Sequence, residues 1–207
     1  MRELIGLRRA GGGALRLLAD MCSDDRMPPR VSDDSADAII IFADIESFSV
    51  LVAREGDDTA FRVLDALDLS VEQAIAGTSC RLVKRLGDGV MITCDDPGEG
   101  VSAAVALPGH FEDAVAGEPF SLRLRVGAHR GVVRRRGDDL IGYHVNVAAR
   151  VTEQAIGGST LITGALLDSV VVSQGLAVEP AGTLVAKGVP ERPPLYRLAH
   201  RTRTSAA

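Results

Sequence analysis

The chain has 207 residues, of which 46% are hydrophobic and only 3% aromatic, a composition that suits one domain, or one domain with an appendage, able to bury a substantial core. Its 23 basic and 28 acidic side chains give a formal charge of −5, and apart from Arg134, Arg135 and Arg136 the cations are scattered among anions, which argues against a grip on nucleic acid or an anionic membrane. The cations are lopsided, because all are Arg except Lys84 and Lys187.

Residues 1–36 differ from the rest. They hold Gly11-Gly12-Gly13, an apolar patch at Leu15 to Met21, Pro28-Pro29 and Asp33-Asp34, and read either as a leader and linker or as one extra helix. The first nine residues lack the apolar core of a secretory signal. From Ala38 the pattern becomes regular. The run Ile39 to Ala43 is apolar on both faces, as a central buried strand would be, and Asp44 ends it. Phe61, Leu64, Leu67, Val71 and Ile75 recur at helical spacing, with Asp57-Asp58-Thr59 as cap candidates and Gly77 as the stop. Cys80 to Leu86 and Val90 to Cys94 read as strands joined through Gly87-Asp88-Gly89, and period two would put Leu82, Lys84 and Leu86 on one face. A helix over about 100–116 is expected to be interrupted at Pro108-Gly109. Leu122 to Val126 alternates and leads to a second β segment at Val132-Val133. A helix through Val145 to Ala155, a strand at Thr160 to Thr163, a helix near Ala165 to Ser173 and two short strands complete the chain.

The order β-α-β-β-α-β predicts an α+β, ferredoxin-like core with helices on one face of an antiparallel sheet, followed by α/β additions. Residues 37–200 form this domain and 201–207 a tail. The longest apolar stretches fall far short of the roughly 20 residues that span a bilayer. Cys22, Cys80 and Cys94 are odd in number without C-x-x-C spacing, so no disulfide framework or zinc site is expected, and a reducing cytoplasm is the simplest location.

Asp44, at a strand end, and Asp88, at a hairpin tip, can converge because the first strand of such a sheet lies beside the hairpin. Paired carboxylates there suit hard cations and in-line displacement at phosphorus, although each Asp alone also fits a turn. Lys84 among leucines either seeks an acceptor or snorkels at the sheet edge. Asn146 and Arg150, four apart on a helix, share one face, with small Ala148 and Ala149 between them. Taken alone, that pair is also what a solvated helix face looks like. His110, His129, His144 and His200 show no metal-ligand spacing and read as structural or exposed.

Together these residues resemble the catalytic domain of class III nucleotidyl cyclases. The similar stretches are Phe42 to Ser49, Val83 to Asp88 and Asp139 to Arg150, with a weaker one at Lys187-Gly188-Val189-Pro190 before Leu195 to Leu198. The resemblance implies a homodimeric, head-to-tail adenylate cyclase with two composite sites, which would make cyclic AMP and pyrophosphate from ATP with two Mg²⁺ or Mn²⁺ ions per site. It implies that one chain supplies metal ligands at Asp44, Asp88 and the Ile45 carbonyl, with the backbone near Phe48 and Ser49 facing phosphate. The partner would supply the purine-reading pair Lys84 and Asp139 and the transition-state pair Asn146 and Arg150, and Lys187 would contact the triphosphate. A guanylate cyclase or a silent nucleotide-binding module is the alternative on this fold. Lys is donor-only and ionised Asp acceptor-only, so Lys84 and Asp139 complement adenine N1 and N6 and oppose guanine. Ser47 and Ser49 stand where the family usually has Gly and Thr, Ile141 stands where an aromatic is frequent, and the Gly131–Asp139 loop is short, which bears on dimer stability.

Overall fold

The computed structural model describes residues 35–173 and 175–200. The leader patch at 15–21, Cys22 and the 201–207 tail lie outside them. β1 (Ser35–Ile45) is paired antiparallel on one side to β3 (Gly89–Cys94) and on the other to β4 (Leu124–Arg136). Its Ile39, Ile40 and Ile41 are at most 1% exposed, because both faces of the strand are covered. Burying each such side chain is worth about 1.5–3 kcal/mol.

Between β1 and β2 (Arg81–Leu86) come α1 (Phe48–Glu55) and α2 (Asp57–Ile75), and α3 (Pro97–Ala114) links β3 to β4. Val63, Leu67, Leu107 and Phe111 from these helices join Ile39, Ile41 and Val126 in the main core on one face. After β4 follow β5 (Asp139–Ile141), α4 (Tyr143–Gln154), β6 (Thr160–Thr163), α5 (Gly164–Leu167), β7 (Leu176–Thr183) and β8 (Pro194–His200). The strand order is β2-β3-β1-β4-β6-β8-β7, with β5 paired to β4 and with β4 and β6 parallel. The βαββαβ core with α/β additions is therefore present, its sheet made mixed by β6.

α4 covers the opposite face. Its Ala148 joins Ile40, Met91 and Leu140, and its Val147 and Val151 join Leu161, Leu184 and Val189. Two glycines of β4 let it approach. A Cβ on Gly127 would sit 2.6 Å from the Thr152 Cα, and one on Gly131 would sit 2.8 Å from the His144 Cβ. The eight residues from His144 to Thr152 rise about 12 Å along a helix, and the four from Gly127 to Gly131 span about 13 Å of strand. The helix thus runs antiparallel along β4 with a glycine beneath each end.

Several local expectations are corrected. Gly56, not Asp57 or Asp58, precedes α2; the two aspartates lie in its first turn, where they complement the helix dipole. Phe61 is 66% exposed, since the buried stripe runs instead through Ala60, Val63, Leu67, Val71 and Ala74. α3 continues through Pro108, because complete burial of Leu107 and Phe111 outweighs the single lost hydrogen bond. It also starts earlier than expected, at Pro97, where Asp96 accepts the Glu99 N–H at 2.9 Å. Residues 124–136 form one strand, and Gly137-Asp138 turns it into β5, so the short loop is a hairpin. α5 ends at Leu167, well short of Ser173.

Two corrections bear on chemistry. The β2–β3 register slips between Leu82, opposite Ile92, and Lys84, opposite Met91. This bulge at Val83 breaks the alternation, so Leu82 packs on the main core while Lys84 sits over the second face with Met91. Cys80 and Cys94 are joined as a disulfide, because the hairpin sets its two ends side by side. The cysteine pattern therefore no longer supports a reducing compartment. Among the described residues no helix is long and apolar enough to cross a membrane.

Candidate active site

The last residues of β1 carry the first polar group of the second face. Asp44 stands opposite Gly89 of β3 and Arg125 of β4, so its carboxylate shares a face with the guanidinium. Arg125 Nε donates to Asp44 Oδ2 at 2.7 Å, and its Nη2 makes a second contact with the same oxygen. Asp88 occupies the β2–β3 turn, and its carbonyl accepts the Ile45 N–H at 3.1 Å. Gly89 allows this approach, since a Cβ there would lie 2.9 Å from the Ala43 carbonyl oxygen and 3.4 Å from Asp44 Oδ1. Burial, and then the charge of Asp44, push the Asp88 carboxyl above its ordinary range, while Arg125 pulls it back. A carboxyl whose charge is opposed by burial and by a neighbouring carboxylate suits a divalent cation, which would offset both. Among the described residues no group of three or more His, Cys, Asp or Glu could hold a metal. The donors present, two carboxylates and the Ile45 carbonyl, are of the kind that hold Mg²⁺ when water and phosphate oxygens complete its shell.

A cleft of about 290 Å³ opens beside Asp44, lined by Phe42, Gly89, Arg125, Ala149, Thr152 and Glu153 among others. Neither Asn146 nor Arg150 lines it. Both are exposed on α4, where Arg150 Nη1 bonds Glu153 three residues on. The expected pairing of Asn146 and Arg150 on one helix face is present, but this chain does not bring that face to its own carboxylates.

Lys84 and Asp139 do meet. The bulge turns Lys84 toward β5, and its Nζ donates to Asp139 Oδ2 at 2.7 Å. Asp139 Oδ1 accepts the Leu140 N–H at 2.8 Å, which fixes the carboxylate plane. The pair is partly exposed, leaving two ammonium hydrogens and further carboxylate lone pairs for a ligand edge.

Phe48 and Ser49 open α1, so their N–H groups have no acceptor within the helix and carry its positive dipole end. Phe48 packs on the main core and Ser49 is exposed. Ser47, just before them, has φ of 63°, a left-handed conformation that explains why glycine suits this position. Lys187 is exposed in the segment between β7 and β8.

The sequence alone does not single out Arg125. Its only signal was its place in the alternating Leu122 to Val126 run, where Arg123 and Arg125 look alike; pairing with Asp44 separates them.

Comparison with known proteins gives the following. The family described as the adenylate and guanylate cyclase catalytic domain matches residues 31–199. An adenylate cyclase of Streptomyces coelicolor is 30% identical over 162 residues, which is 76% of this chain and 42% of that protein. The chain thus spans less than half the length of this curated relative. The crystal structure of the adenylyl cyclase CyaB from P. aeruginosa has a TM-score of 0.70 at 19% identity, covering 82% of this chain and 97% of that one, a likeness of fold. A Trypanosoma brucei adenylate cyclase solved in its monomeric state has a TM-score of 0.68 at 26% identity, covering 83% and 92%.

Proposed function

Because the chain belongs to the adenylate and guanylate cyclase catalytic domain family, we propose that it converts ATP to 3′,5′-cyclic AMP and pyrophosphate at two composite sites of a head-to-tail homodimer. The observation that carries the choice of nucleotide is the 2.7 Å pairing of Lys84 with Asp139. A donor-only ammonium beside an acceptor-only carboxylate complements adenine, whose N1 accepts and whose N6 amino group donates. Guanine reverses both positions and leaves two unsatisfied contacts.

The other residues have roles that follow from their chemistry. Asp44 and Asp88, with the Ile45 carbonyl, would hold the divalent cations, Mg²⁺ or Mn²⁺, and these would neutralise the triphosphate and lower the pKa of the ribose 3′-hydroxyl. The Phe48 and Ser49 N–H groups, at a helix N-terminus, would receive phosphate oxygens. Arg125 would pass from Asp44 to the triphosphate, and Lys187 would approach it from its segment. From the second chain, Asn146 would orient the ribose, and Arg150, released from its exposed contact with Glu153, would stabilise charge on the transferring phosphoryl group. The 3′ oxygen forms the new bond to the α-phosphorus, the bond to pyrophosphate breaks, and the hydroxyl proton leaves to water.

Supplying the protein with ATP or GTP, and with Mg²⁺ or Mn²⁺, and measuring cyclic nucleotide tests this reading. Cyclic AMP formed in preference to cyclic GMP is the expected result. A preference for GTP would overturn the reading of Lys84 and Asp139, and no product from either nucleotide would make the chain a silent binding module.

A further inference from the structure

We infer that His129 and His144 are positioning residues that lock the seat of α4, and with it Asn146 and Arg150. The inference rests on the cyclase reading for the roles of that pair. It starts from the second face of β4, where Gly127, His129 and Gly131 form a strip beneath α4. Apolar contacts of Val147, Ala148 and Val151 hold the helix down. Such contacts are not directional, and by themselves they permit the helix to turn or slide.

The imidazoles supply direction. His129 is 5% exposed and both its ring nitrogens are engaged. Nδ1 lies 2.7 Å from Thr163 Oγ1 of β6, itself fully buried, and Nε2 lies 2.8 Å from Nδ1 of His144 in the first turn of α4. The chain closes in either sense. His144 can donate to His129, which then donates to Thr163, or Thr163 can donate to His129, which then donates to His144. Burial and the neighbouring ring hold His129 down at about 4, so it is neutral near pH 7 and both directions stay open.

The two rings also stack, with centroids 5.1 Å apart, and the His144 ring occupies the space that a Gly131 side chain would fill. Asn146 is two residues beyond His144 and Arg150 six, so a turn of the helix at His144 displaces both. The same helix is tied to the segment carrying Lys187. Tyr143 donates to Glu191, and Gln154 Nε2 donates to the Val185 carbonyl at 2.9 Å. A misplacement of about 1 Å at a catalytic group can cost on the order of 100-fold in rate.

The test compares His144→Ala, His144→Asn and His144→Gln in the full chain. The Asn side chain places a hydrogen-bonding atom where Nδ1 was, whereas Gln places it at the Nε2 position. His144→Ala should lower kcat by on the order of 10- to 100-fold with KM for ATP within about two-fold, since the loss falls on groups acting in the transition state. Asn should recover most of the rate and Gln little. Gly131→Ala, which expels the ring without removing either imidazole, should resemble His144→Ala, and combining the two should add little. Amide exchange of α4, read against α2, follows the seat of the helix without reference to catalysis. It should quicken in the Ala and Gln variants and stay slow in Asn. Equal behaviour of Asn and Gln in both readouts, or unchanged kcat and unchanged α4 exchange in His144→Ala, would overturn the inference. A wild-type chain that makes no cyclic nucleotide while α4 exchange follows the Asn and Gln pattern would overturn the cyclase reading alone.

Discussion

Mixing two variants that are each expected to be inactive gives a quantitative check on the proposed shared site. Asp44→Ala removes a carboxylate that stands against Arg125 and beside the turn of Asp88. Asn146→Ala removes a side chain on the exposed face of α4, outside the cleft that Asp44 lines. In the proposed dimer each variant alone would damage both sites, because each site would take the carboxylates from one chain and α4 from the other. In a dimer of unlike chains the two lesions fall together in one site and leave the second site whole. Equal amounts that re-pair at random make half the dimers mixed, with one good site of two, so about a quarter of wild-type turnover should return. The assay is cyclic AMP formation after co-expression or co-refolding, with differently tagged chains to count mixed dimers. Mixed dimers with no more activity than either parent would refute the division of the site between chains. Activity from one variant alone would place its residue outside the chemistry.

Three further outcomes follow from the geometry. Lys84→Arg should lower kcat/KM for ATP by on the order of 10-fold, because a planar fork adds donors that the Asp139 and adenine edges do not match; unchanged kinetics would reduce the scarcity of lysine to composition. Asp88→Asn should raise the melting temperature of the unliganded chain at neutral pH while abolishing stabilisation by Mg²⁺ or Mn²⁺. The Asp88 pKa is raised by burial and by Asp44, so the folded state holds its proton more tightly than the unfolded state, and stability falls as pH rises through that titration. A lower melting temperature in Asp88→Asn would overturn the reading that the folded chain disfavours the ionised Asp88 carboxyl. For His129, whose pKa falls from 6.5 to about 4, the sign is opposite. Stability is fully present above about 6.5 and is lost as pH drops toward 4, by on the order of 3 kcal/mol if the ring stays buried. Urea unfolding at pH 7 and pH 4.5, with His129→Gln as the control, measures this, and the same loss in that variant would assign it to other groups.

Much of the fold was legible because it rests on periodicity and short-range chemistry. The run Ile39 to Ala43 declared a strand buried on both faces, and Gly87-Asp88-Gly89 declared a tight hairpin, which together put Asp44 near Asp88. Local rules failed where tertiary contacts outweighed them. Pro108 stays inside α3 because Leu107 and Phe111 are buried on either side of it, and Phe61 faces outward although its spacing suits a core. Strand register was also illegible. One inserted residue at Val83 moves Lys84 from the main core to the second face, and no alternation of side chains announces a bulge in advance.

The sequence by itself determined most of the candidate residues, Arg125 excepted, since donor-only Lys, acceptor-only Asp and small Ala between Asn146 and Arg150 are properties of residue type and spacing. Only the tertiary structure decided which of them meet. Arg125 rather than Arg123 reaches Asp44, Lys84 reaches Asp139 through a bulge, and two glycines under α4 admit the His129 and His144 pair. Each of these is set by the register between segments far apart in the chain, and register is a property of paired strands and a seated helix, which no single segment contains.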